Sequence, residues 1–157
     1  MVTVVWGREF ADTFIRVGLR SLLGKGNIPD LAAAHEVIYT IYTTHRDADI
    51  LEQAPAFAQL RESANVSLSL FDPSEIDTTN YGEHGGFWRR AIDLARRNGE
   101  VLFFIIPDLL YANGTLVRWA ERFADGKRAI FTIGPQVVLE TVVPELEQQF
   151  PGRDSPY

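Results

Sequence analysis

The run Val101–Ile106 reads VLFFII, with no polar residue at any position. A strand with one face in water alternates apolar and polar side chains, whereas a strand covered on both faces does not. The run therefore calls for a sheet buried between two layers. Four other runs rich in Val, Ile, Phe, Tyr and Thr recur along the chain, at Val2–Trp6, Glu36–Thr43, Val66–Phe71 and Arg128–Ile133. Each suits a strand.

Between the runs the spacing becomes helical. Phe10, Phe14 and Val17 beside Ile15, Leu19 and Leu22 make one broad apolar face, leaving Arg8, Arg16 and Arg20 to water. A second helix is expected from about Asp47 to Ser63, kinked or split by Pro55. A third runs from about Glu83 to Arg97 and ends at Asn98-Gly99, and a fourth from Asn113-Gly114-Thr115 to Asp125-Gly126. A last segment, Gln136 to Phe150, is interrupted by Pro144. Strand and helix in alternation predict an α/β domain: an open, mostly parallel sheet of about five strands with right-handed crossovers. A single domain over residues 1–150 is expected, with residues 151–157 as a frayed tail.

Composition narrows the function. A 157-residue chain with 46% hydrophobic residues fills one sizeable core. Fifteen Lys+Arg against 21 Asp+Glu give a net charge of -6, and no basic stretch follows a phosphate backbone, so nucleic acid is excluded as a partner. Without cysteine there is no disulfide and no thiolate chemistry, which suits a cytoplasmic protein. The start MVTVVWGREF lacks the pattern of a secretory signal. The VLFFII run is broken by Pro107 and Asp108, too short to insert in a membrane.

In an open α/β sheet, ligands sit beyond the carboxyl ends of the strands. The residues there are Trp6-Gly7, Thr43-Thr44-His45, Phe71-Asp72-Pro73, Ile106-Pro107-Asp108 and Ile133-Gly134-Pro135. Polar groups converging above an apolar sheet are what a small-ligand cleft requires. The same residue types also cap helices and make turns, so the expectation rests on the set. Asp108 either contacts a ligand or metal or accepts backbone N–H groups in the turn Asp108-Leu109-Leu110. His45 either meets a ligand or bridges to Asp47 or Asp49. His84, within Tyr81-Gly82-Glu83-His84-Gly85-Gly86, stands at a flexible entrance to the cleft.

Other motifs fall away. Asp47-Ala48-Asp49 sits at a helix start, where acids complement the helix dipole. Gly24-Lys25-Gly26-Asn27 follows a helix instead of a strand, and neither GxGxxG nor GxxxxGK[ST] occurs. No G-x-S-x-G elbow is present. Of Trp6, Trp88 and Trp119, only Trp6 lies on the expected ligand side, the others reading as core or rim.

Three segments carry a family likeness: WGREF with SLLGKGNIPDL, IYTTHRDADI, and FFIIPDLLYANGTLVRWAERFADGKRAI. They resemble the nucleotide-sugar-binding half of GT-A glycosyltransferases, in particular bacterial glycosyltransferase-like proteins. The resemblance implies a three-layer, Rossmann-like fold with helices on both faces. It implies that Trp6, Gly7, His45 and Asp72 hold the nucleoside, that Asp108 faces the diphosphate or metal, that Tyr81 or His84 closes the entrance, and that Thr44 and Pro107 belong to the same nucleotide-sugar site. In that fold the central strand ends in an Asp-x-Asp motif that grips Mn²⁺ or Mg²⁺. The matching stretch here is Ile106-Pro107-Asp108, with the second acid alone, so Asp108 is the implied metal ligand.

Nothing after Gln136 resembles the acceptor-binding half that usually supplies the general base, and no catalytic residue is assigned. The expected function is binding of a nucleoside diphosphate sugar, with transfer to an acceptor if activity is retained. The alternative is an inactive α/β scaffold, in which a surface around Phe87, Trp88 and Tyr111 meets a partner protein or a second copy.

Overall fold

A computed structural model of the chain describes residues 1–75 and 84–150. Strand β1 (Val2–Val4) leads through Gly7 into α1 (Arg8–Thr13), which continues without a break as a π-helical stretch (Phe14–Leu19) and α2 (Arg20–Leu22). Helix α3 (Ile28–Ala34) precedes β2 (Ile38–Thr44), which feeds α4 (His45–Glu52), α5 (Pro55–Ser63) and β3 (Asn65–Phe71). A short 3₁₀ turn (Pro73–Glu75), α6 (His84–Asn98), α7 (Thr115–Ala124) and α8 (Leu139–Gln149) complete the order. Among the described residues no helix is long and apolar enough to cross a membrane.

The named strands form one parallel sheet in the order β1-β2-β3. All seven residues of β3 pair with β2, from Ile38 with Asn65 to Thr44 with Phe71. The VLFFII run lies on the other side of β1 but makes a single parallel bridge, Val2 with Phe104. Its backbone bonds are Val2 N to Phe103 O at 2.9 Å and Ile105 N to Val2 O at 2.8 Å. The lateral order is therefore β3-β2-β1-Phe104, reversing direction at β1.

Side-chain alternation sends the two faces of the sheet into separate cores. Val5, Tyr39 and Ile41 join Phe14, Leu19, Leu22, Phe57, Leu60 and Leu116 in the larger cluster. Val2, Tyr42 and Phe71 join Ala91 of α6, with Phe87 and Phe104 packed against them, in the smaller. Helices thus cover both faces.

Several expectations are corrected. The described residues hold three strands, not about five. The fourth run is limited to one bridge because Pro107, without an N–H, ends it. The fifth, Arg128–Ile133, is no strand: Phe131 is 91% and Ile133 98% exposed. Pro55 splits the second helix, standing in the first turn of α5 where its missing N–H costs nothing. Helix α3 is an addition, started by Asn27, Pro29 and Asp30 before Leu31-Ala32-Ala33-Ala34.

Candidate functional site

Because the strand order reverses at β1, the chain departing from β1 and the chain departing from the fourth run diverge above the sheet. A crevice opens between them, the place where open α/β sheets take ligands. It is a cleft of about 590 Å³. Its floor is Val4 and Ile105, its walls are Trp6, Phe10, Trp88 and Ile106, and its rim is Gly7, Pro107 and Asp108.

Each wall has a local cause. Trp6, half-buried, meets Phe71 edge-on at 6.2 Å between ring centres. Trp88 comes from α6 and stacks on Phe104 at 4.9 Å, so the tryptophan expected in the core or rim also walls the cleft. Gly7 turns the chain into α1 at φ 86, a left-handed value glycine adopts without strain, and a side chain there would meet open space. Asp108 is exposed at the rim.

The β1 exit is tied to the β2 exit. Asp47 Oδ2 accepts the Gly7 N–H at 2.7 Å and the Thr44 hydroxyl at 2.8 Å. Thr44 Oγ1 in turn accepts the Asp47 N–H at 3.2 Å, capping α4. Asp47 is 4% exposed, so it is a buried tether as well as a first-turn acid; Asp49 is exposed. Thr44 is buried with its hydroxyl engaged, outside the lining of this cleft.

His45 and Asp72 stand together at the next exits, outside the cleft lining. Asp72 Oδ1 accepts the Ser74 N–H at 2.8 Å and the Ser74 hydroxyl at 2.7 Å, a local turn. The backbone bond, the hydroxyl bond and the nearby His45 charge hold its carboxyl below the usual range. The expected set thus divides: Trp6, Gly7, Pro107 and Asp108 line one cleft, His45 and Asp72 occupy the adjoining rim, and Thr44 is buried. Tyr81 lies outside the described residues; His84 opens α6, with its side chain likewise outside them.

The segments that carry the family likeness are largely structural. Asn27 is fully buried; its Nδ2 donates to Ser21 O at 2.8 Å and Ala112 O at 3.2 Å, and its Oδ1 accepts the Leu116 N–H at 3.1 Å. Gly26 lies so close to Gly114 that a Cβ would strike its backbone. SLLGKGN is therefore a clip onto Asn113-Gly114-Thr115 at the start of α7.

The exit of the fourth run is clamped from behind. Tyr111 OH accepts the Ile106 N–H at 2.8 Å and donates to Ile106 O at 3.2 Å, while Tyr111 N donates to Ser21 Oγ at 3.0 Å. Burial pushes the Tyr111 hydroxyl up to about 12. Tyr111 is thus buried, and Phe87 is packed between Tyr42 and Phe71 at 4.7 and 4.9 Å. Of the expected partner surface only Trp88 is open.

Of the acidic pair that the likeness implies for Mn²⁺ or Mg²⁺, one member is present, Asp108. Ile106 stands where the first acid of an Asp-x-Asp pair would be, and among the described residues no three His, Cys, Asp or Glu side chains gather. A second hollow of about 600 Å³ lies at the amino ends of the strands, walled by Leu31, Phe103 and Phe123. It is remote from the predicted residues.

Sequence reasoning passed over Phe10 and Trp88 as walls, and Gly18, Ser21 and Tyr111 as supports. Phe10 and Trp88 carried a signal, since large apolar side chains flanking strand exits wall a crevice as readily as they fill a core. No family model, curated protein or solved structure matches the chain.

Proposed function

We propose that the chain binds the nucleoside end of a nucleoside diphosphate sugar in the cleft beside β1. The observation that carries the reading is the meeting of aromatic walls, Trp6, Phe10 and Trp88, with one carboxylate, Asp108, at the reversal of strand order. Aromatic walls take a flat base by stacking, and an exposed carboxylate accepts the paired hydroxyls of a ribose. The diphosphate then leads away from Asp108 into solvent, since two anions at one rim repel. The GT-A likeness points to the same ligand class. The proposal is one of binding, and no residue is given a transfer step.

Thermal melts and calorimetry with UDP-glucose and GDP-mannose, each with and without Mn²⁺, test it. A ligand at about 100 times its Kd stabilises by about 2.7 kcal/mol, and Trp6→Ala and Asp108→Ala are expected to abolish the shift. No shift with either probe at millimolar concentration removes the reading.

A second reading, an interaction module, is favoured by the exposure of Phe131 and Ile133 at 91% and 98%. Large apolar groups held in water mark contact surfaces. Here a second copy or partner protein covers that strip. Concentration-dependent association abolished by Phe131→Ser with Ile133→Ser, and indifferent to Asp108→Ala, supports it.

A further inference from the structure

The turn that presents Asp108 is held from behind by three residues that line no part of the cleft. Gly18, in the π-helical stretch, lies against Pro107 so closely that a Cβ would overlap the Pro107 carbonyl oxygen. Ser21 Oγ donates to Gly18 O at 2.7 Å and accepts the Tyr111 N–H at 3.0 Å. The Tyr111 hydroxyl returns to both backbone groups of Ile106. Ser21 and Tyr111 are 1% and 7% exposed. Ile106, Pro107 and Tyr111 are thereby fixed to the long helix, and Asp108 hangs between fixed points.

Loops at strand ends are ordinarily the mobile part of an α/β domain. This one is restrained by groups a purely space-filling role does not need: phenylalanine would fill the Tyr111 site without the hydroxyl, and a regular α-helix would omit the π-helical stretch, a feature frequent at functional sites. Resting on the cleft reading above, we propose that Gly18, Ser21 and Tyr111 are positioning residues that pre-set Pro107 and Asp108 opposite Trp6, so that a ligand does not have to order the turn as it binds.

The test compares wild type, Tyr111→Phe, Ser21→Ala and a control, Phe57→Leu, which lowers stability from α5 and lines no part of the cleft. Affinity for UDP-glucose and GDP-mannose is measured by calorimetry, and amide exchange of Ile106 to Tyr111 is followed in the free protein. Tyr111→Phe is expected to weaken binding about tenfold, as losing one or two hydrogen bonds does, and Ser21→Ala by a smaller factor. Exchange accelerates in 106–111 and not in α7, while Phe57→Leu leaves affinity within about twofold. Wild-type affinity in Tyr111→Phe, or an equal loss in Phe57→Leu, overturns the proposal. If wild type binds neither probe, the cleft reading fails separately and exchange decides: acceleration confined to 106–111 upholds the pre-set turn, and unchanged or global exchange overturns it.

Discussion

Two runs in this chain, Val66–Phe71 and Arg128–Ile133, are similar β-formers in sequence and have opposite fates. The first lies within β3, whose residues all pair with β2. The second has Phe131 and Ile133 almost wholly in water. The difference lies in what each run meets. The chain entering β3 comes from α5, anchored by buried Phe57 and Leu60, and finds the seven-residue edge of β2. The chain leaving α7 turns at Gly126, φ 84, and would have to add to a fourth run that holds one bridge of its own. A strand needs a ladder to join, and propensity does not provide one.

The largest expected contrast tests that comparison directly. Phe14→Ala, in the larger core and fully buried, is expected to cost about 3–5 kcal/mol, whereas Phe131→Ala stays within about 0.5 kcal/mol. Chemical denaturation of both variants decides: a cost of several kcal/mol at Phe131 would mean that the run is paired in solution.

Asn27 marks the seam between the two regions, since it joins the loop before α3 to the start of α7. Asn27→Ala leaves the buried Leu116 N–H without its acceptor and takes one of several donors from the Ser21 and Ala112 carbonyls, a loss of about 2–3 kcal/mol. Amide exchange should then spread from the exposed strip into α7 and spare β2 and β3. Uniform acceleration would mean that the seam is not where the regions divide.

The same seam has an alkaline signature. Burial raises the Tyr111 hydroxyl from 10.0 to about 12 and, together with the nearby Tyr111, moves Tyr39 well above the ordinary value. An acid whose folded pKa is raised keeps its proton when the unfolded chain has lost it. The contribution of these two hydroxyls is therefore constant below pH 10 and falls as pH rises from 10 toward 12, by about 1.4 kcal/mol per unit for Tyr111, with Tyr39 acting in the same direction. Tyr111→Phe should remove its share of that slope in denaturant melts across the window.

What the sequence disclosed follows from the range of the forces involved. Near-continuous apolar runs and helical spacing are local, and they place β1, β2, β3, α6 and α7 within a few residues. The strand-end rule likewise brought Trp6, Gly7, Pro107 and Asp108 to one cleft. The use to which Thr44 and Asp47 are put was not legible, because the bond from Gly7 to Asp47 spans 40 positions. Nor was the role of Gly18, which depends on the Pro107 carbonyl meeting it across the fold. The fourth run reads as a full strand because VLFFII is fully apolar, yet it keeps a single bridge to β1, since Pro107 stands at its end without an N–H.

The smallest effect separates the two halves of the rim. At Asp108 the carboxylate stands exposed at the cleft, whereas at Asp72 both bonds come from Ser74, with His45 nearby. A depressed carboxyl adds stability that is complete above its unfolded pKa and disappears as pH falls through the folded one. At so exposed a site that share is small, so the measurement is a carboxyl NMR titration. Ser74→Ala should move the Asp72 midpoint toward the ordinary value, and His45→Ala should move it less. If UDP-glucose or GDP-mannose shifts the Asp72 midpoint more than it perturbs Asp108, the ligand sits over β3 and not at the reversal beside β1, and the division of the rim drawn from the cleft is wrong.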